Sequence, residues 1–266
     1  MSERKHNSPP ATGTHSCKQY FADSKSSVAL LAFLLNTIMG SDYVTAIAKQ
    51  ALEGPENLAI KSPGELAETA PGPRTLHIRK NRQLFLELFL TRLVDSFQCY
   101  IVAIIREVLN VQPRVLISAQ PTLSLEYVFQ FQNLEELRAD VVEAKVNDLS
   151  YQGFQKLKQW CVDRGIPIVV DPELEPRLVE LISIRNIISH NRGIIDKKYL
   201  RTVPSSTFEL GARREISVGE LFEAEAILNQ VVAETDVSIQ SQFGLPMESI
   251  SQEPDEQNER SDVSPT

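Results

Sequence analysis

The segment from Arg82 to Asn110 constrains the fold of this chain more than any other part. Apolar residues recur in it at helical spacing, and its second half, Cys99 to Ile105, is apolar on nearly every side. A helix that is apolar all round is normally surrounded by other helices, because its surface is otherwise left in water. We therefore predict that this segment is the central core helix of a multi-helix domain.

Four more segments carry helix signals. Ser217 and Glu220 have the spacing of a capping box. Pro176 follows acidic residues at a helix start, and Gly193 is placed to end the same helix. Ser150 is expected to cap a short helix of its own. The predicted helices cover residues 133–149, 150–161, 175–191 and 217–237. Because strand patterns are nearly absent, the sequence predicts an all-α bundle of about five helices.

The composition of the ends predicts four regions along the chain. Residues 1–26 are polar and include two adjacent prolines, so we predict a disordered N-terminal tail. Residues 27–78 are expected to hold one or two helices followed by a Pro- and Gly-rich linker. The main helical domain is predicted over 79–237, and an acidic, disordered tail over 238–266.

The charge of the chain argues against some functions. The formal net charge is -8 and the sequence pI is near 5.2. Proteins that coat nucleic acid without specificity carry a broad basic surface, which this chain lacks as a whole. Any contact with nucleic acid must therefore come from a local basic patch.

The cysteines and the apolar runs predict a compartment. Cys17, Cys99 and Cys161 are widely spaced, and no cysteine or histidine pair has metal-ligand spacing. We expect no disulfide, no metal and no cofactor, and we expect Cys99 and Cys161 to be buried. The apolar run 28–40 has 13 residues, short of the roughly 20 that a spanning helix needs. Charged residues interrupt the run 84–109. The sequence therefore predicts a cytoplasmic protein with no membrane partner.

The helix predicted over 175–191 carries the polar residues of most interest. Ser183, Asn186 and His190 fall on one side of it, and the last two are four residues apart and so can touch. Arg185 falls on the apolar side instead. A guanidinium group in apolar surroundings is costly unless it is paired. Arg185 must therefore meet a carboxylate, a partner subunit or an anion in a cleft.

The end of this helix is locally basic. His190 lies in the last turn, where the helix dipole favours a positive charge and an imidazole can exchange a proton near neutral pH. Four cations follow, and the stretch 185–201 has a net charge of +4. The predicted phosphate-binding residues are Arg192, Lys197, Lys198 and Arg201. A local patch of this size suits one phosphate-bearing ligand.

The residues Ile184 to Ile195 resemble the motif of the HEPN superfamily, in which an Arg, usually followed by a polar residue, precedes a His near a helix end. The form RNxxxHNRG, with Tyr199-Leu200 after it, looks most like the RiboL-PSP type of HEPN domain. The resemblance covers about residues 80–237. It is specific at the motif and rests elsewhere on a similar order of helices.

What this resemblance implies is a HEPN-like helical bundle that acts as a metal-independent endoribonuclease. The family acts from homodimers whose motif helices face each other, often as toxins with a partner antitoxin protein or in abortive infection against phage. By position, His190 is the general acid or base for attack of the ribose 2′-hydroxyl on its phosphate. Arg185 stabilises charge on that phosphate, and Asn186 positions the phosphate or the histidine.

Two other functions compete with this interpretation. One is a non-catalytic helical module that uses the same face to bind a protein or a nucleotide. The other, a sequence-specific DNA binder, is opposed by the net charge and by the lack of a helix with base-reading residues and a basic flank. The nuclease requires Arg185 and His190 to reach one open cleft. A covered His190, or an Arg185 held by a carboxylate such as Glu107 or Asp95, favours the module.

Overall fold

The computed structural model describes residues 9–53, 62–117 and 123–250. Its elements in chain order are β1 (Thr12–Gly13), α1 (His15–Glu53), α2 (Pro63–Thr69), α3 (Pro73–Lys80), α4 (Arg82–Val111), a 3-10 helix (Pro113–Leu116), α5 (Leu125–Val128), α6 (Leu134–Tyr151), α7 (Phe154–Val162), α8 (Glu175–Asn191), α9 (Lys197–Thr202), α10 (Val218–Phe243) and β2 (Glu248–Ser249). The predicted all-α class is confirmed. The described part holds ten helices, more than the number expected.

Helix α4 is the centre of the fold, as predicted. It packs against α1, α6, α8 and α10. Phe97, Ile104 and Val108 are fully buried on it. One side of α4 is nevertheless uncovered, because Cys99 is exposed and Val102 is half-buried. The expectation that Cys99 is buried is therefore wrong, since no helix in the described part of the chain covers that side.

Local capping chemistry sets the bounds of the later helices. The Ser217 hydroxyl accepts a hydrogen bond from the Glu220 N–H at 3.1 Å, and the Glu220 carboxylate accepts one from the Ser217 N–H at 2.9 Å. This reciprocal pair is the predicted capping box of α10. Helix α8 ends as predicted at Asn191, and both Arg192 (φ 54°) and Gly193 (φ 74°) are left-handed there.

Two predictions about the first 78 residues are wrong. Residues 15–26 of the predicted disordered tail form the first turns of α1, where Cys17, Tyr20 and Phe21 are buried in the core. The predicted linker contains α2 and α3. Pro63 and Pro73 begin these helices instead of breaking them, because a proline at the first helical position loses no intrahelical hydrogen bond.

Two predictions further along the chain are also wrong. Ser150 lies inside α6 and does not cap α7, which is preceded by Gly153 at φ 81°. Within the predicted acidic tail, residues 238–243 continue α10, and β2 pairs antiparallel with β1. The remaining tail residues, 251–266, lie outside the described residues, as do residues 1–8 of the N-terminal tail.

Two helices have the length and composition of a membrane span, α1 over His15–Leu52 and α4. Half of the most apolar window of α4 is buried, which is the property of a core helix. Only 6% of the corresponding window of α1 is buried. The two helices pack side by side. They differ in burial because α4 is also covered by α6, α8 and α10.

Candidate functional site

One wall of a surface cavity is formed by α8. Ser183, Asn186 and His190 lie along it together with Ile187, and the cavity has a volume of about 460 Å³. The opposite face of α8 is buried in the core through Leu178 and its neighbours, which fixes the direction of the polar side chains. The prediction that Asn186 and His190 share one side of the helix is confirmed.

The junction of α6 and α7 and the short helix α9 form the other walls. The lining residues from these elements are Gln152, Gly153, Phe154, Gln155, Lys156, Asp196, Lys198, Tyr199 and Thr202. The Asp196 carboxylate caps α9 by accepting a hydrogen bond from the Tyr199 N–H at 2.7 Å. The Tyr199 hydroxyl donates to Glu180 on α8 at 3.2 Å. These two bonds fix α9 against α8, and burial raises the pKa of Tyr199.

The cavity presents cations without counter-ions. Lys156 and Lys198 are exposed, and neither ammonium group makes an ion pair with any residue that the structure describes. His190 is exposed and its ring makes no hydrogen bond within the same described part. The Ser183 hydroxyl, in contrast, is used by the helix, since it donates to the Val179 carbonyl at 2.8 Å. Three potential phosphate contacts are therefore open to a ligand.

Arg185 does not line this cavity. Its Nε donates to the Asp95 carboxylate on α4 at 2.6 Å, and its Nη1 donates to the Asn186 side-chain oxygen at 3.1 Å. The side chains of the ion pair are 25% and 34% exposed, for Arg185 and Asp95 respectively. Asn186 therefore connects two places, since it touches Arg185 and also lines the cavity.

The sequence analysis set two conditions for a nuclease, an open His190 and an Arg185 that reaches the same cleft, and the structure meets only the first. His190 is open to solvent, as the nuclease requires. Arg185 is held by Asp95, a carboxylate that the sequence analysis named, and this favours the non-catalytic module. Within one chain, Arg185 and His190 do not line the same cavity.

The predicted phosphate-binding residues separate into two groups. Lys198 lines the cavity. Arg192, Lys197 and Arg201 are exposed but lie outside the lining. Lys156, in the first turn of α7, was missed by the sequence analysis. No local signal identifies it, because its place in the cavity depends on how the α6–α7 junction packs near α8.

The described residues contain no group of three or more His, Cys, Asp or Glu that could hold a metal ion. Burial raises the pKa of Cys161 to about 12, so this thiol is a poor nucleophile at neutral pH. The cavity is therefore lined by lysines, amides, hydroxyl groups, one carboxylate and one imidazole.

No protein-family model matches the chain, and neither does any curated protein or any solved structure. The resemblance to the HEPN superfamily therefore depends on the residues of the α8 motif and on the order of the helices.

Proposed function

We propose that this protein is a helical module that binds a nucleotide unit of RNA through its phosphate in the α8 cavity. One observation carries the proposal. Lys156, Lys198 and His190 line a single open cavity and form no ion pair in the part of the chain that the structure describes, while Arg185 is held outside it by Asp95. This is the arrangement that favours the non-catalytic alternative.

The size and lining of the cavity suit such a ligand. Small-molecule sites usually enclose about 300 to 1,000 Å³ and combine apolar walls with a few placed polar groups. Here Ile182, Ile187 and Phe154 supply apolar surface for a base. The amide of Gln155 and the amide nitrogen of Asn186, whose oxygen accepts from Arg185, can contact a ribose. The positive charges in the cavity outnumber the single negative charge of Asp196, and this favours a phosphate.

The second candidate is a metal-independent endoribonuclease of HEPN type that acts from a homodimer, in a toxin–antitoxin or phage-defence setting. The observation that favours it is the exposed His190 beside two lysines. In this reaction His190 takes the proton of the ribose 2′-hydroxyl, whose oxygen attacks phosphorus. The bond to the 5′-oxygen breaks, this oxygen takes a proton from water and leaves as a hydroxyl, and a 2′,3′-cyclic phosphate remains. Arg185 would have to leave Asp95, or a second chain would have to supply its charge.

Binding is tested by fluorescence anisotropy of a labelled RNA oligonucleotide in EDTA. We expect the Lys156→Gln/Lys198→Gln variant to bind about tenfold more weakly at low salt, because two phosphate contacts are lost. The matched control is Lys197→Gln/Arg201→Gln, which also removes two exposed charges, both on α9 and outside the cavity. If the control and the Lys156→Gln/Lys198→Gln variant lose the same affinity, RNA binding depends on the overall charge of the protein and the cavity is not its site.

Cleavage is tested on the same samples. The RNA is run on a denaturing gel, and its new ends are assayed for 2′,3′-cyclic phosphate. Intact RNA with tight binding supports the module. Cleavage by the wild type that is lost in His190→Ala and retained in Lys197→Gln/Arg201→Gln would replace the module with the nuclease.

A further inference from the structure

The middle of α1 is an uncovered apolar helix. Residues 26–41 contain no charged side chain. Leu30 is 53% exposed and Phe33 is 64% exposed, and Val28 and Leu35 on the same stretch are exposed as well. A helix that is apolar all round is normally covered, and a contiguous exposed apolar surface marks an interaction site.

Helix α4 extends this apolar surface. The two helices run antiparallel, since Ser16 on α1 bonds to Glu107 on α4, and Asp23 pairs with Arg92 at 3.2 Å. Continuing this register brings the middle of α1 to the first turns of α4. Leu84 and Leu88 there are 54% and 59% exposed. We call Leu30, Phe33, Leu84 and Leu88, with Val28 and Leu35, the α1–α4 apolar surface.

A basic cluster borders this surface. Arg74, Arg79, Lys80 and Arg82 are all exposed on α3 and the start of α4, and the sequence has no acidic residue between Glu68 and Glu87. Helix α3 packs against α1. The cluster is therefore held next to the α1–α4 apolar surface, although the chain as a whole is acidic.

The one charge near the middle of α1 is neutralised within the protein. Asp42 is the only charged residue between Lys25 and Lys49. It is buried, and its carboxylate accepts hydrogen bonds from the N–H of Thr75 at 2.7 Å and of Arg74 at 3.4 Å. Burial alone would raise the pKa of Asp42, but these bonds outweigh it and lower the pKa. The lowered pKa keeps the carboxylate ionised, and the Arg74 guanidinium, 3.5 Å from it, balances its charge.

We propose that the α1–α4 apolar surface and the basic cluster dock together on the surface of an anionic lipid bilayer. Apolar side chains enter the boundary between head groups and acyl chains, while neighbouring cations contact anionic head groups. Helix α1 is long and apolar enough to cross a bilayer, but it packs on α4 and α3 and its Asp42 is buried against Thr75, so the folded chain lies on the bilayer instead of crossing it. A second copy fits less well, because a two-fold interface here brings two basic clusters together.

The test is co-sedimentation of the full chain with vesicles of phosphatidylglycerol and phosphatidylcholine, and with vesicles of phosphatidylcholine alone. We expect binding to the anionic vesicles that falls steeply with added salt. The variant Leu30→Gln/Phe33→Gln should bind about tenfold more weakly, since apolar burial is lost. Phe129→Gln/Leu134→Gln is the matched control, because these residues are 81% and 75% exposed near the start of α6, where Arg138 bonds to Asn110 at the other end of α4.

The charges are tested separately. Lys80→Gln/Arg82→Gln should weaken binding to anionic vesicles by roughly tenfold or more, given about 1 kcal/mol for each cation near the surface. Arg114→Gln, an exposed arginine beyond the other end of α4, should change it less than twofold. Circular dichroism equal to that of the wild type establishes that each variant is folded.

Two results would overturn the proposal. One is a folded wild-type chain that does not sediment with anionic vesicles, or that sediments equally well after loss of Leu30 and Phe33. The other is a wild-type dimer, seen by sedimentation velocity without lipid, that Leu30→Gln/Phe33→Gln converts to a monomer while vesicle binding stays absent. The apolar surface would then belong to a second copy of the chain.

Discussion

The start of α1 and the end of α8 both gather polar groups at a helix terminus, but they use them differently. At the start of α1, the buried Asp236 carboxylate accepts hydrogen bonds from the Thr14 N–H at 3.0 Å and from the Thr14 hydroxyl at 2.5 Å. Tyr100 donates to the same carboxylate at 3.4 Å. At the end of α8, the His190 ring has no hydrogen-bond partner among the described residues, and neither has the ammonium group of Lys198 on the neighbouring α9.

This difference separates groups that hold the fold from groups that are available to a ligand. A buried polar group without a partner is strongly destabilising, so Asp236 and Thr14 must satisfy each other. An exposed polar group without a protein partner is hydrated by water, so leaving it free for a ligand destabilises the fold little. Losing Asp236 should therefore change stability and leave affinity intact, whereas losing Lys198 should do the opposite.

The largest effect is expected for Asp236→Ala. The variant leaves the buried N–H and hydroxyl of Thr14 without an acceptor, which should lower the free energy of unfolding by about 3 kcal/mol. Urea denaturation followed by circular dichroism measures this change. Val237→Ala, at an exposed position next in sequence, should stay within about 0.5 kcal/mol of the wild type. A loss below about 1 kcal/mol for Asp236→Ala would mean that this network does not hold α1.

An intermediate effect is expected for Glu220, which belongs to a paired network that borders the cavity wall. Burial alone would raise its pKa, but hydrogen bonds from the Arg214 guanidinium and the Ser217 N–H lower it from 4.5 to about 2. Arg214 also pairs with Glu180, the acceptor of the Tyr199 hydroxyl. Glu220 therefore supports the α9 wall indirectly.

The pH dependence of Glu220→Gln follows from this lowered pKa. A carboxylate with a lowered pKa stabilises the fold fully above its ordinary value of 4.5 and loses that contribution as pH falls towards 2. We expect the variant to be about 2 kcal/mol less stable at neutral pH, with the difference shrinking between pH 4.5 and 2. Urea denaturation across this range measures it. A difference that is constant with pH would exclude an ionic cause.

The smallest effect is expected for the pair of Arg185 and Asp95. Both side chains are partly exposed, so a double-mutant cycle with alanine should give a coupling of about 0.5 to 1 kcal/mol. The pair of Arg106 and Glu143, also at 2.6 Å and more exposed, is the control on α4 and should couple no more strongly. A coupling above about 2 kcal/mol would place Arg185 among the groups that hold the fold.

The parts of the fold that depend on nearby residues were predictable. The cap at Ser217 and the end of α8 near Gly193 follow from neighbours within one turn. The common side of Asn186 and His190 follows from their spacing of four residues. Such features need no knowledge of the rest of the chain.

The parts that depend on distant residues were not predictable. The first turns of α1 carry three apolar residues at helical spacing, Cys17, Tyr20 and Phe21, within an otherwise polar sequence. These residues are buried because α1 packs against α4 and α10, which lie far away in the sequence. The sequence analysis named Asp95 as one possible partner of Arg185, yet could not choose among carboxylates up to 90 positions away. Lys156 reaches the cavity only through the packing of α7.

The anchoring of α1 also sets an order of events during synthesis. Thr14 and its acceptor Asp236 are 222 positions apart. A ribosome that adds about 5 to 20 residues per second makes Asp236 roughly 10 to 45 seconds after Thr14. The start of α1 therefore gains its buried acceptor only after α10 is made. Until then, water has to satisfy the N–H and the hydroxyl of Thr14.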